Sequence, residues 1–183
     1  MDLRKKLLAL LKEKAYRKGK VILTSGKESD FYIDCRPVTL HPEGGYLVGK
    51  LFYNLIKSAP EKIQGVGGLT MGADPIATAI SLISYMEGDP VNAFIIRKEP
   101  KQHGRSLWIE GIDNLNEGSR VAIVEDVVTT GGSTIKAIEK AMEEKLQVVK
   151  VLAIVDRNEG GRENIKKYGF ELESLFTRED FLC

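Results

Sequence analysis

The chain has 183 residues and carries 27 Lys and Arg against 26 Asp and Glu, a formal net charge of +1. This length suits one domain, and such a chain buries a sufficient core without disulfides or a structural metal. The composition, 43% hydrophobic and 29% charged, excludes a disordered or fibrous protein. Near-neutral charge gives no sign of a nucleic-acid or membrane partner. We therefore expect a single globular domain over residues 1–183.

The N-terminus favours a helix rather than a leader. Arg4, Lys5 and Lys6 precede a short apolar run, 7–11, which charged residues interrupt at once, so a signal peptide is not predicted. No run approaches the ~18 apolar residues of a membrane span. Cys35 and Cys183 are too few for a disulfide framework. We predict a cytoplasmic protein with unpaired thiols.

Hydrophobic periodicity predicts an N-terminal helical and extended segment followed by alternating strands and helices. Helices are predicted over about 1–20, 47–56, 75–86, 133–145 and 161–168, and strands over 21–23, 31–35, 65–69, 91–96, 120–124 and 148–155. Val- and Ile-rich strands that alternate with helices indicate an α/β fold, a parallel sheet with helices on both faces. Ligands of such folds bind beyond the carboxyl ends of the strands. The aperiodic stretch 97–119 is typical of a functional or disordered loop.

The strongest motif is an apolar strand that runs into Glu125 and Asp126 and then into a Thr/Gly turn, residues 129–132. The turn and the helix that we expect Ser133 or Thr134 to cap offer backbone N–H groups to a phosphate. The two carboxylates suit vicinal hydroxyls or a developing positive charge. A ribose 5-phosphate has both kinds of group. Neither a Walker loop nor a dinucleotide fingerprint is present.

This motif resembles the signature of the type I phosphoribosyltransferases. The resemblance implies their fold, with a small N-terminal hood over about residues 1–40, and binding of 5-phosphoribosyl 1-diphosphate (PRPP). It implies that the ribose hydroxyls contact Glu125 and Asp126, with Asp126 catalytic. The 5-phosphate would lie on residues 129–134. The implied PRPP-binding residues of this stretch are Val127, Val128, Thr129, Thr130, Gly131, Gly132 and Ser133.

A basic segment follows the predicted strand 91–96. Arg97, Lys98, Lys101 and Arg105 against Glu99 give +3 over residues 97–105, and Pro100 and Gly104 favour a mobile loop. Such a loop could bring several cations to a departing diphosphate and exclude water. A solvated basic surface loop is the alternative. Nucleic-acid contact is not supported, because no aromatic residues are interleaved.

The spacing Arg-Lys-x-x-Lys-x-His-Gly resembles the catalytic loop of orotate phosphoribosyltransferases. The resemblance implies diphosphate contacts from Arg97, Lys98, Lys101 and His103, of which Lys101 and His103 would be catalytic. In that family the loop reaches into the neighbouring subunit, so a homodimer is implied.

Two further segments are similar to the same family. Residues 23–34 resemble its hood, with Ser-Gly-x-x-Ser-x-x-Tyr, and residues 155–157 resemble the strand end whose arginine meets the orotate carboxylate. A guanidinium fork at a strand end suits a carboxylate, although Arg157 could instead pair with Asp156 or Glu159. The resemblance also implies that Thr129 touches orotate.

The segment 67–77 is a second strand–turn–helix, which lines the diphosphate in the family, and Asp74 fits a helix N-cap there. Thr24 and Met71 stand where some members carry lysines, which leaves two contacts to PRPP in question.

The function implied is transfer of the phosphoribosyl group from PRPP to orotate, assisted by Mg²⁺ held mainly by PRPP rather than by protein ligands. A phosphoribosyltransferase for another base is the alternative enzyme. Arg157 distinguishes the two possibilities, because orotate has a carboxylate for its guanidinium and a neutral base has none. A PRPP-sensing regulator would carry an added nucleic-acid-binding surface, which this composition lacks. A catalytically inactive relative stays open.

Overall fold

The protein is described by a computed structural model over residues 2–22, 28–100 and 108–182. The N-terminal part contains α1 (Leu3–Lys14), β1 (Tyr16–Ile22), β2 (Glu28–Ile33), α2 (Arg36–Thr39) and α3 (Pro42–Lys57). There follow β3 (Gly65–Leu69), α4 (Ala73–Met86), β4 (Asn92–Ile96), β5 (Ile109–Glu110) and a 3₁₀ turn (Ile112–Asn114). The last part contains β6 (Arg120–Val128), α5 (Gly132–Glu143), β7 (Gln147–Asp156), α6 (Gly161–Lys167), β8 (Leu172–Thr177) and α7 (Glu179–Leu182).

Six strands form one sheet in the order β5-β4-β3-β6-β7-β8. All neighbours run parallel except β4 and β5, which are antiparallel. The strand β3 lies at the centre, pairing Val66 with Ala93 on one side and with Ala122 on the other. The predicted parallel sheet is confirmed.

Helices cover both faces of this sheet, because successive side chains of each strand point to opposite sides. In β6, Ala122 and Val124 belong to the apolar cluster that packs under α1, α3 and α4. Val121 and Ile123 belong to the opposite cluster, which packs under α5 and α6. Among the helices of the described ranges, none is long and apolar enough to cross a membrane.

The N-terminal segment differs from its prediction. The helix expected over the first 20 residues ends at Lys14, and Tyr16–Ile22 pairs antiparallel with Glu28–Ile33. The Leu periodicity stops at Leu11, and the ring of Tyr16 lies 5.2 Å from that of Phe31 on the partner strand. Aromatic packing across a strand pair therefore outweighs the continuation of the helix.

Other elements of the sheet also differ from the prediction. The strand β6 continues to Val128, past the two acids that were expected to follow its end. Its ladder with β7 extends to the pair Val128 and Asp156, which keeps this backbone extended. The edge strands β5 and β8 were not predicted, because β5 has two residues and β8 interrupts its apolar residues with Glu173 and Ser174.

Candidate active site

Two adjoining cavities open at the carboxyl edge of the sheet, of about 300 and 240 Å³. Both are lined by Glu125, Val127 and Ser133. The larger also contacts the hood strand, the turn after β3 and the start of the basic segment, through Tyr32, Ile33, Asp34, Arg36, Leu69, Thr70, Met71, Gly72, Lys98 and Asp126. The smaller is enclosed by the turn and the helix start that follow β6, through Val128, Thr129, Thr130, Gly131, Gly132 and Thr134. The predicted acids and the predicted phosphate turn therefore line two cavities that have three residues in common.

Glu125 lies on the wall common to both cavities, and Asp126 lines the larger one. Glu125 is only 7% exposed, and burial together with the neighbouring Asp126 carboxyl raises its pKa well above the ordinary range. Burial likewise raises the pKa of Asp126, although its Oδ1 accepts a hydrogen bond from the Val127 N–H at 2.8 Å. An ionised pair is costly in such a place unless a ligand supplies donors. Ribose hydroxyls are donors of that kind.

The helix α5 begins without a side-chain cap. Gly131 is its N-cap residue in the left-handed region, with φ of 82°, and the first turn contains no acidic residue. The expectation that Ser133 or Thr134 caps the helix is wrong, because both lie inside its first turn. Since the first N–H groups of a helix have no partner within it, this end suits an anion. The Thr134 hydroxyl is buried, and no hydrogen-bond partner for it occurs among the described residues.

The turn between β3 and α4 forms the opposite wall. Gly72 approaches Asp126 so closely that an added Cβ would lie 2.5 Å from Asp126 Oδ1. Asp74 does not cap α4 as expected; Gly72 is the N-cap residue, and Asp74 accepts a 2.7 Å hydrogen bond from the Thr70 hydroxyl. Met71 is 60% exposed and lines the larger cavity, so this turn contributes no cation.

Lys98 and Arg97, the two cations in the described part of the basic segment, lie in different surroundings. Lys98 lines the larger cavity. Arg97 pairs through Nη1 with Glu110 at 2.9 Å and is not among the residues that line either cavity. Lys101 and His103 lie outside the described residues, as does the hood stretch 23–27.

Arg157 lies away from the lining of these two cavities. It is 7% exposed, and its guanidinium pairs with Glu159 at 2.8 Å and donates to the Phe31 carbonyl at 3.3 Å. The ion pair with Glu159 is one of the alternatives that the sequence left open. Thr129, the other predicted orotate contact, lines the smaller cavity.

Arg36 is a pocket residue that sequence reasoning missed. It lines the larger cavity and forms a bidentate pair with Asp34, with both Nε–Oδ1 and Nη2–Oδ2 distances at 2.8 Å. This pairing raises the pKa of Arg36 and lowers that of Asp34. The signal available was an Arg two residues beyond an Asp at the end of the hood strand.

Comparisons with known proteins define the class first. The family model described as "Phosphoribosyl transferase domain" matches residues 38–178, which include both strand–turn–helix units and the acid pair. The fold is therefore that of a phosphoribosyltransferase.

Closer relatives specify the family within this class. The orotate phosphoribosyltransferase of Aquifex aeolicus is 48% identical over 98% of this chain and 97% of the relative, and that of a Nostoc species is 46% identical over 97% and 84%. The crystal structure of the Mycobacterium tuberculosis orotate phosphoribosyltransferase in complex with PRPP is 34% identical, with a TM-score of 0.81 over the full length of both chains. The chain belongs to the orotate phosphoribosyltransferase family.

Proposed function

We propose that the two cavities hold PRPP while this chain transfers its 5-phosphoribosyl group to orotate, which gives orotidine 5′-monophosphate and diphosphate. The observation that carries this placement is the shared wall of Glu125, Val127 and Ser133 between an acid-lined cavity and a helix N-terminus. A molecule with vicinal hydroxyls at one end and a phosphate about one sugar away fits both parts.

The 5-phosphate would lie in the smaller cavity on the turn 128–134. The uncharged start of α5 provides N–H groups and the positive end of the helix dipole. Gly131 permits the left-handed backbone that turns these groups inward, and Thr130 and Gly132 complete the lining. Thr134, in the first turn of the helix, also lines this cavity.

The ribose would lie against Glu125 and Asp126 in the larger cavity. Bond breaking at the anomeric carbon leaves positive charge on the sugar, which two carboxylates stabilise. Hydrogen bonds from the ribose hydroxyls favour the ionised form of acids whose pKa burial has raised. The pair thus binds the sugar and stabilises its charge in the loose transition state.

The diphosphate would leave toward the cationic side of the same cavity. Lys98 and Arg36 both line it. Lys101 and His103, outside the described residues, are proposed on family grounds to contact the departing group, His103 as a proton or hydrogen-bond donor. Arg97 is engaged with Glu110 and would have to exchange that partner to contribute.

The described residues fit a magnesium ion that is carried by the substrate. No group of three or more His, Cys, Asp or Glu that could hold a metal occurs within the described ranges, whereas PRPP offers diphosphate and hydroxyl oxygens. Bound with PRPP, Mg²⁺ would neutralise charge on the diphosphate.

Orotate would take its place beside Thr129, with Arg157 recognising its carboxylate. Because Arg157 pairs with Glu159 in this structure, the orotate carboxylate would have to replace that acid. Arg178, whose Cζ also lies 5.5 Å from the Phe31 ring centroid, provides a matched control.

The test follows the loss of orotate absorbance after the protein is mixed with PRPP and Mg²⁺. We expect turnover with orotate and none with a purine base. The variant Arg157→Lys should raise the KM for orotate at least roughly tenfold, while Arg178→Lys leaves it within about twofold. Turnover of a purine without orotate would overturn the assignment of the base.

We also propose that the chain forms a homodimer through a groove between α2, α3 and α4, the α3–α4 groove. This groove has a volume of about 630 Å³, and its rim exposes Leu40, Tyr46, Leu82 and Met86 by 50–79% of their surface. Inside it, Thr39 Oγ1, His41 Nδ1 and Asp74 Oδ1 are buried with no hydrogen-bond partner among the described residues. An exposed apolar rim of this kind is typical of an interface.

A second copy is the occupant that the site favours. Asp74 lines the groove, and its Oδ2 accepts the hydrogen bond from Thr70 of the active-site turn, so the groove adjoins the diphosphate wall. A neighbouring subunit seated there would bring its own residues to that wall, as the shared catalytic loop of the family requires.

Light scattering of the purified protein tests the dimer. We expect a mass of two chains for the wild type and for Met142→Lys, a control on α5 that is 55% exposed. Leu82→Lys places a charge on the groove and should give monomers with turnover reduced on the order of tenfold or more. A dimeric Leu82→Lys variant would exclude this face.

A cytoplasmic location and the single-domain organisation over residues 1–183 stay predictions. The free thiol of Cys35, which is buried, is compatible with a reducing compartment.

A further inference from the structure

Lys136 on α5 joins that helix to both sides of the stretch 101–107. Its Nζ donates a 2.9 Å hydrogen bond to the carbonyl oxygen of Lys98. The same ammonium lies 5.3 Å from the centroid of the Trp108 ring. One side chain therefore contacts the residue before this stretch that lines the larger cavity and the residue directly after it.

The two strands beside these residues are already fixed to one another. The Arg97 N–H donates to the Trp108 carbonyl at 2.9 Å, and Arg97 Nη1 pairs with Glu110 at the same distance. Ile96 stands opposite Ile109 in the antiparallel ladder of β4 and β5. These contacts join the residues on both sides of the stretch 101–107 into one unit, so a contact of Lys136 with it acts on more than one side chain.

The helix that holds this unit is also the helix that would bind the 5-phosphate. Lys136 lies four residues after Gly132, about one turn from the open N-terminus of α5. Lys98 lines the larger cavity together with Ser133 from the first turn of α5. Lys136 therefore links the Lys98 backbone directly to α5, whose start together with the preceding turn, residues 128–134, forms the phosphate cradle.

We propose that Lys136 is a positioning residue for PRPP: it fixes Lys98 relative to the phosphate cradle, so that both ends of PRPP meet their partners together. The proposal rests on the proposed contact of Lys98 with the diphosphate. Lys136 itself lines neither of the two cavities and acts through Lys98.

Lys140 provides a matched control on the same helix. Its Nζ lies closer to the same ring, at 4.3 Å, and hydrogen bonds to Glu143 at 2.6 Å. Within the described residues it makes no hydrogen bond to the basic segment. Removing Lys140 thus alters the surroundings of Trp108 without releasing Lys98.

The experiment compares Lys136→Met and Lys140→Met at saturating orotate, with PRPP varied. We expect Lys136→Met to raise the KM for PRPP about tenfold, with the KM for orotate unchanged and kcat within about threefold, and Lys136→Arg to restore most of the loss. Lys140→Met should stay within about twofold in all three quantities. Equal kinetic effects of the two methionine variants, or equal losses for both substrates, would overturn the proposal.

A double-mutant cycle with Lys98→Met tests whether Lys136 acts on PRPP binding through Lys98. If Lys136 acts through Lys98, the double variant loses no more PRPP affinity than Lys98→Met alone, whereas independent roles give additive losses and contradict the proposal. Trp108 is the one tryptophan of the chain, so its fluorescence reports PRPP binding without orotate. This fluorescence titration tests the role of Lys136 independently of the reaction. If the wild type binds PRPP but does not turn over orotate, the assigned reaction is wrong, and the double-mutant cycle on PRPP binding still tests the role of Lys136.

Discussion

Two strand–turn–helix units stand side by side at the carboxyl edge of the sheet, β3–α4 and β6–α5. In the first, the strand ends without charge and the acid lies in the helix, where Asp74 occupies the first turn of α4 and holds Thr70. In the second, the acids lie in the strand and the first turn of α5 has none.

The position of the carboxylates therefore distinguishes the two units: the start of α4 has a negative charge of its own, and the start of α5 has none. A carboxylate in the first helical turn satisfies the helix dipole from within. The α4 end therefore needs no ligand, while the α5 end retains its attraction for an external anion. The same strand–turn–helix unit forms a cavity wall when its carboxylate lies in the helix, and the phosphate cradle when its carboxylates lie in the strand.

The largest expected effect comes from giving α5 an acid like that of α4. Ser133 is exposed in the first turn of α5, so Ser133→Asp leaves packing intact while it repels the 5-phosphate. We expect PRPP affinity to fall on the order of 100-fold, about 2.7 kcal/mol, in calorimetric titration. The melting temperature should stay unchanged or rise slightly, because the acid satisfies the dipole.

The isosteric control is Ser133→Asn, which should lose less than about fivefold. Equal losses for Asp and Asn would show that the volume of the side chain, and not the field of the helix end, governs binding.

The second effect comes from removing the acid of α4. Asp74→Ala leaves the Thr70 hydroxyl without its acceptor and the helix end without its charge. We expect the free energy of unfolding to fall by about 1–2 kcal/mol in urea titration. Asp89→Ala, which removes an exposed pair with Lys62, should cost less than about 0.5 kcal/mol. Similar losses for both variants would mean that Asp74 contributes only surface charge.

The smallest effect concerns the buried acid of β6. Because the pKa of Glu125 is raised above its ordinary 4.5, the folded protein retains a proton that the unfolded chain releases. Stability therefore falls as the pH rises from about 4.5 through the raised pKa. Glu125→Gln lacks this charge and should gain about 1 kcal/mol, roughly 2–4 °C, over the wild type at neutral pH.

That gain should shrink as the pH is lowered toward 4.5 in paired thermal melts without ligand. A difference between Glu125→Gln and the wild type that does not vary with pH would show that the amide, and not the loss of a buried charge, changes stability.

The sequence allowed both units to be predicted, because an apolar strand followed by a glycine turn and a periodic helix is a local pattern. It did not predict how α5 begins. Serine and threonine are preferred caps, yet Gly131 takes that position, since the backbone must pass Gly161 at a spacing that leaves little room for a Cβ. Such a constraint arises from a residue 30 positions away.

Features that depend on distant pairing could not be predicted in this way. The strand β6 extends beyond Val124 because β7 runs beside it, and Tyr16 joins a strand because Phe31 packs against it. The α3–α4 groove has no sequence signal, since Leu82 and Met86 resemble ordinary residues of a helix. Arg36 became recognisable only when the fold brought it beside Asp126 in one cavity.

Because Gly72 lies so close to Asp126, the residues that are allowed at these two positions, 54 residues apart in the sequence, depend on each other. The space that a methyl group at 72 would take is the space that the Asp126 carboxyl occupies, with 2.5 Å between them. In a selection for folded protein from random codons at both positions, a side chain at 72 should survive beside a residue shorter than aspartate at 126 or beside an Asp126 whose carboxyl has moved aside. Either change removes the Asp126 carboxyl from its place in the larger cavity while Glu125 stays, so recovered pairs should fold without turning over PRPP.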